Sequence, residues 1–283
     1  MTLILTPSPR LRAAFRPLRV VALVYVVGIV TVMLLAPLLA PADPLAQDIA
    51  NRMQAPGTNG HILGTDELGR DILSRLMYGA QVELFIALGA TLFATVLGTV
   101  LGVLGAYFGG LTEVITMRVI VDVILAFPPI ILALLAVTIY GPGASTLILA
   151  MGFLFAPTFA RIAYGQTLTV KGLEYVEAAH VFGARNQVTL TKVVLPNIVS
   201  PLIVQFSLTI AASILLESGL SYLGLGVVPP APSWGAMVAQ GQRYMATEPT
   251  ALLIPATVVV VTILAFGLLG DMLRDYFDPK SRK

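Results

Sequence analysis

Six apolar runs constrain this 283-residue chain before any single residue does; they lie at 20–36, 83–108, 114–140, 145–164, 201–223 and 251–273. A helix that crosses the hydrocarbon core of a bilayer needs about 20 predominantly apolar residues, and it must pair its backbone groups internally because no water is there to do so. The runs therefore predict an all-α, polytopic membrane protein with six transmembrane helices. Composition agrees, with 57% hydrophobic and 11% charged residues and a mean hydropathy of +0.89, against roughly 25% charged in soluble domains. A net charge of +2 is too small to suggest nucleic acid, and the absence of cysteine excludes disulfides, thiolate nucleophiles and thiolate metal sites.

The polar intervals set the organisation. Residues 1–19 carry Arg10, Arg12, Arg16 and Arg19 ahead of the first run, a basic flank of the kind retained in the cytoplasm. Ala40-Pro41-Ala42 imitates a signal-peptide cleavage site, but the apolar core before it is longer than an h-region, so the run at 20–40 reads as an uncleaved first span. Segment 41–81 is extracytoplasmic. A transmembrane domain covers 82–274, with polar loops at 165–200 and 224–250, and a tail follows at 275–283. With the N-terminus inside, thirteen basic residues fall inside (Arg10, Arg12, Arg16, Arg19, Arg118, Arg161, Lys171, Arg185, Lys192, Arg274, Lys280, Arg282, Lys283) and four outside (Arg52, Arg70, Arg75, Arg243). The positive-inside rule thus puts both termini and the 165–200 loop in the cytoplasm.

That loop holds the longest charged interval of the second half, Glu174 to Pro201. Leu173, Val176, Ala179 and Val181 with Phe182 recur at helical spacing, and Gly183 follows as a left-handed stop. Asn186 is placed to cap a second helix that runs to Pro196, and Ser200-Pro201 to open the next span. A pair of short helices lying on the lipid surface has the same pattern.

Spacing adds to this reading: Glu177-Ala178-Ala179, three residues, Gly183, nine residues, Val193, one residue, Leu195-Pro196. It resembles the EAA loop of ABC importer permeases, with Val193 where Ile is usual. The resemblance implies that Glu177, Ala178, Ala179, Gly183, Leu195 and Pro196 form a cytoplasmic coupling helix seated in a groove of an ATPase subunit. It extends through His61–Tyr78, Gly109-Gly110, Met117-Arg118, Leu125–Pro128, Leu220–Gly226, Pro229-Pro230, Pro232–Met237, Leu269–Asp271 and Leu273–Asp275, which are similar to the dipeptide, oligopeptide and nickel branch and within it to the dipeptide C-type chain. Gln81 and Glu83 stand where that branch often has a basic residue and Ser, and His180 where Arg is frequent. The implied partners are a second homologous permease chain, two ABC ATPase subunits, an extracytoplasmic solute-binding protein landing on 41–81 and 224–250, and lipid. The implied location is a bacterial cytoplasmic membrane, and the implied cargo dipeptides or short oligopeptides, with nickel or another small solute as the alternative. No cofactor belongs to this chain by the same resemblance; ATP and Mg are held by the partner ATPases.

The remaining residues refine the function. Gly98 with Gly102 and Gly105 with Gly109 are small-residue pairs that let membrane helices approach closely. Gly64–Arg75 reads as a helix beginning at Thr65 with acids in its first turn, and Asp66, Glu67 and Asp71 lack the alternate-residue pattern of a calcium loop, so no metal site is assigned. Asp122 has Arg118 four residues earlier as a partner. Glu217 has no basic residue within a turn, which fits a translocation path, a subunit interface or a hydrogen bond to a neighbouring helix. No Gly-x-x-x-x-Gly-Lys-Ser/Thr loop is present, so energy must come from another chain, and no catalytic residue is assigned. An ATP-independent secondary transporter with a broken helix at Pro128-Pro129 is the rival, but it has no need of a loop that docks an ATPase.

Overall fold

In the computed structural model, residues 16–277 are described, and their regular structure is helical with no β-strand. Arg10, Arg12, Lys280, Arg282 and Lys283, counted above toward orientation, lie outside them. In chain order the helices are α1 (Arg16–Leu39), α2 (Ile72–Phe108), α3 (Gly110–Leu125), α4 (Pro129–Tyr140), α5 (Ala144–Lys171), α6 (Glu174–Val181), α7 (Asn186–Tyr222), α8 (Trp234–Gln242) and α9 (Thr250–Phe277). Helices α1, α2, α5, α7 and α9 are each long and apolar enough to cross a bilayer. The third apolar run is not one continuous rod as its length suggested: α3 and α4 meet at 89°. Pro128 supplies the corner, because a proline disfavours helical backbone in the residue before it and lacks the N–H to continue a ladder.

Helix α2 is the axis of the bundle, packing against α1, α5, α7 and α8. Its contact with α5 is the most extensive in the fold and depends on two glycines. A β-carbon on Gly98 would collide with the Ala156 carbonyl oxygen and lie 2.7 Å from Phe159 Cβ. One on Gly102 would strike the Ala160 carbonyl and lie 2.8 Å from Tyr164 N. The Gly98/Gly102 spacing therefore does bring two backbones together, and the gain is dispersion contact between helices that the surrounding lipid cannot match.

Several expected helix limits shift; Arg185 and not Asn186 is the N-cap of α7, and Ser200-Pro201 lie inside that helix instead of opening a new one. Helix α2 starts at Ile72, not Thr65, because Gly64 and Gly69 adopt φ of 80° and 75° and the Asp66 side chain satisfies Leu68 N and Arg70 N locally at 2.9 and 3.0 Å. Asp71 is the N-cap instead, accepting from Ser74 N at 2.8 Å. Pro196 does not end the helix begun at Asn186. Residues Leu190–Val194 are π-helical, Leu195 N–H reaches the Leu190 carbonyl five residues back, and Pro196 falls at the start of the next α-helical stretch, where a missing N–H is tolerated. One helix of 37 residues, Asn186–Tyr222, results.

Candidate functional site

The loop singled out by sequence is a helix, a turn and the base of α7. Helix α6 ends at Val181 and Gly183 takes φ +79°, the left-handed conformation foreseen for it. Val176 is fully buried against Val170, Val194 and Ile198, which anchors α6 to the ends of α5 and α7. The apolar residues do not all face inward, however. Val181 and Phe182, at the end of α6 and just before the turn at Gly183, are 80% and 90% exposed. Ala178, Gly183 and Pro196 are also exposed and Leu195 is half-buried. The side chains of Glu177, Ala179 and His180 lie outside the described residues.

Polar contacts tie this end together across elements that sequence spacing could not pair. Lys171 Nζ donates to the Tyr107 carbonyl at 2.7 Å and caps the last turn of α2. The Tyr107 hydroxyl donates to Asn186 Oδ1 at 3.2 Å, and Tyr164 donates to Glu113 at 2.7 Å. Asp122 pairs with Arg161 of α5 at 3.0 Å rather than with Arg118. Asp122 follows the π-helical stretch Val114–Val121, and Arg161 reaches it from α5, a neighbour that spacing along one helix does not reveal. Between α5, α7 and α9 opens a cleft of about 570 Å³ whose mixed lining includes Arg161, Gln166, Gln205 and Arg274 beside Ile162 and Leu208.

The opposite end is closed by α8. Trp234 is fully buried, donates Nε1–H to the Leu76 carbonyl at 3.0 Å, and lies over Gly79, where a β-carbon would be 2.7 Å from the indole. Asp66 pairs with Arg70 at 2.7 Å and Arg75 at 3.4 Å, and His61 pairs with Asp71 at 2.8 Å. Asp66 and Asp71 are thus engaged in the folded cap at this end of the bundle.

Glu217 is fully buried inside the chain, its Oε1 accepting from Ser221 at 2.6 Å. Its side chain also meets that of Glu83 on α2, equally buried. In the sequence Glu83 stands out only as a departure from a pattern; nothing local pairs two residues so far apart in the chain.

A helical bundle with five or six helices able to cross a membrane, a loop pinned at one end and a short helix closing the other defines the class, a polytopic membrane protein. Comparison with known proteins makes the assignment: residues 94–283 match the family described as binding-protein-dependent transport system inner membrane component, and the chain belongs to it. The chain is 39% identical over 261 residues, 92% of its length and 86% of the relative's, to the glutathione transport system permease protein GsiD of Pectobacterium atrosepticum (strain SCRI 1043). It is 38% identical over 260 residues, 92% and 85% of the two lengths, to GsiD of Escherichia coli O1:K1. The fold is similar to a chain of the MetNI methionine ABC transporter in an inward-facing conformation, with a TM-score of 0.57 at 20% identity over 73% of this chain and 98% of that one. The protein is accordingly a multi-pass ABC importer permease of the peptide-type branch, and ATP hydrolysis belongs to separate ATPase subunits.

Proposed function

We propose that this permease imports short peptides, dipeptides or tripeptides, handed to it by an extracytoplasmic solute-binding protein. The observation that carries the reading is the 38–39% identity to glutathione permeases over 92% of the chain, since glutathione is itself a tripeptide. In this reading a second, homologous permease chain and two ATPase subunits complete the complex, and no cofactor belongs to this chain. The 165–200 loop faces the cytoplasm, in line with the thirteen-to-four excess of basic residues.

Glu177, Ala178, Ala179, Gly183, Leu195 and Pro196 form the element that couples to an ATPase. Exposure of Val181 and Phe182 on the same loop supports this, because an apolar pair held out beyond a pinned helix gains most by burial in a partner's groove. Segments 41–81 and 224–250 receive the binding protein. The test is uptake of labelled glutathione, dialanine and Ni²⁺ by membrane vesicles that contain the complete complex and its binding protein. Saturable, ATP-dependent uptake of either peptide supports the reading; uptake of Ni²⁺ alone would replace the cargo and leave the permease assignment intact.

A further inference from the structure

Glu83 and Glu217 are among the largest side chains with no solvent exposure in the fold, and they meet inside the membrane-spanning bundle. Each has one oxygen occupied from the same short stretch of α7: Ser218 Oγ donates across the interface to Glu83 Oε1 at 2.7 Å, and Ser221 Oγ donates to Glu217 Oε1 at 2.6 Å. The other oxygen of each, Oε2, is buried and receives no donor from any other residue. No ion pair joins either acid to a basic side chain among the described residues. Arg75, two turns earlier on α2, is engaged by Asp66 at 3.4 Å and the Pro44 carbonyl at 3.3 Å.

Hydrogen-bond chemistry leaves little freedom here. A carboxylate only accepts, so two carboxylates facing each other have no donor between them and repel in a medium that screens poorly. A carboxylic acid supplies the missing O–H, and acid-to-carboxylate bonds are short and strong. We propose that Glu83 and Glu217 share one proton, forming an acid–carboxylate pair that fixes the end of α7 against α2, with Glu83 as the positioning residue. Together with the Ser218 bond this gives α7 two polar ties to α2 close to Trp234, whose indole is bonded to α2 as well. In a bundle whose other contacts are mostly apolar, such ties select one register of α7 along α2.

The test uses the full chain in its assembled complex in lipid. Infrared difference spectra of wild type minus the double variant E83Q/E217Q, taken at neutral pH, should contain one acid carbonyl band and one carboxylate band of equal stoichiometry. Glu83→Gln, which still offers an N–H donor to Glu217, should leave the unfolding equilibrium within about threefold of wild type. Glu83→Leu leaves Glu217 Oε2 without a donor and should shift it about tenfold toward unfolding. Two carboxylate bands with no acid band, or stabilisation by Na⁺ in their presence, would overturn the proposal in favour of a bound cation or a charged pair. Two acid bands, failure of the double amide to fold, or equal effects of Glu83→Gln and Glu83→Leu would overturn it too.

Discussion

Replacing Gly183 by valine isolates the geometry of the proposed coupling loop from everything else in the protein. The residue sits at φ +79°, and a β-carbon built there meets nothing within 4 Å. Any penalty is therefore backbone strain and not collision. For an L-residue the left-handed region costs about 1–2 kcal/mol, and more for a β-branched one. That corresponds to about a 5- to 30-fold loss in the population of loops that hold the native turn. Because Val176 still anchors α6, the loop re-aims Val181 and Phe182 without disturbing the bundle. We expect Gly183→Val to insert normally and to pair with its permease partner, while ATP hydrolysis by the purified four-chain complex no longer rises on adding loaded binding protein. Gly183→Asn, which tolerates this region, should keep most of the stimulation. Wild-type stimulation and uptake in Gly183→Val would refute the reasoning, since the turn would then have no part in coupling.

Two further outcomes follow from the bundle. Reporters fused after Gly60 and after Lys171 should be active on opposite sides of the membrane, the first outside and the second inside; activity on one side would break the orientation argued from basic residues. Gly98→Val should force α2 away from α5, because the obstructing atoms are the Ala156 carbonyl and the Ala160 amide, which cannot rotate aside. A loss of about 1–3 kcal/mol of stability is expected, read as a lower Tm of the complex in detergent, and an unchanged Tm would show that the interface is looser than the structure has it.

Much of the fold was legible because membrane insertion writes its demands locally. A run of apolar residues must be a helix, so five spans and the site of the sixth could be placed from hydropathy, and the left-handed turn after α6 from Gly183. Position along a helix was less legible. The start at Ile72 depended on which of several acids capped, and Asp71 prevailed because two positive-φ glycines hold Thr65–Arg70 in a turn. Continuity through Pro196 depended on a π-helical stretch that has no residue signature of its own. Pairing across the bundle was illegible for a different reason. Asp122 with Arg161, and Glu83 with Glu217, are separated by 39 and by more than a hundred residues, and only the packing of α2, α3, α5 and α7 brings them together. Val181 and Phe182 belonged to the right helical face by count, but at the end of α6 they are exposed.

Continuity of α7 has a mechanical meaning. At 1.5 Å per residue its 37 residues extend about 55 Å, against a hydrocarbon core of about 30 Å. The helix is thus a lever that begins at the loop and ends beside Trp234 on the far side. Tilting it by about 5° about one end displaces the other by about 5 Å, more than the width of a side-chain contact. Its stiffness is not uniform, because the π-helical turn at Leu190–Val194 and the prolines at 196 and 201 all lie in the half nearest the loop. Bending compliance is concentrated there, so force applied at the loop is partly absorbed as flexure of that half, and what remains reaches Glu217 as rotation of a nearly rigid shaft.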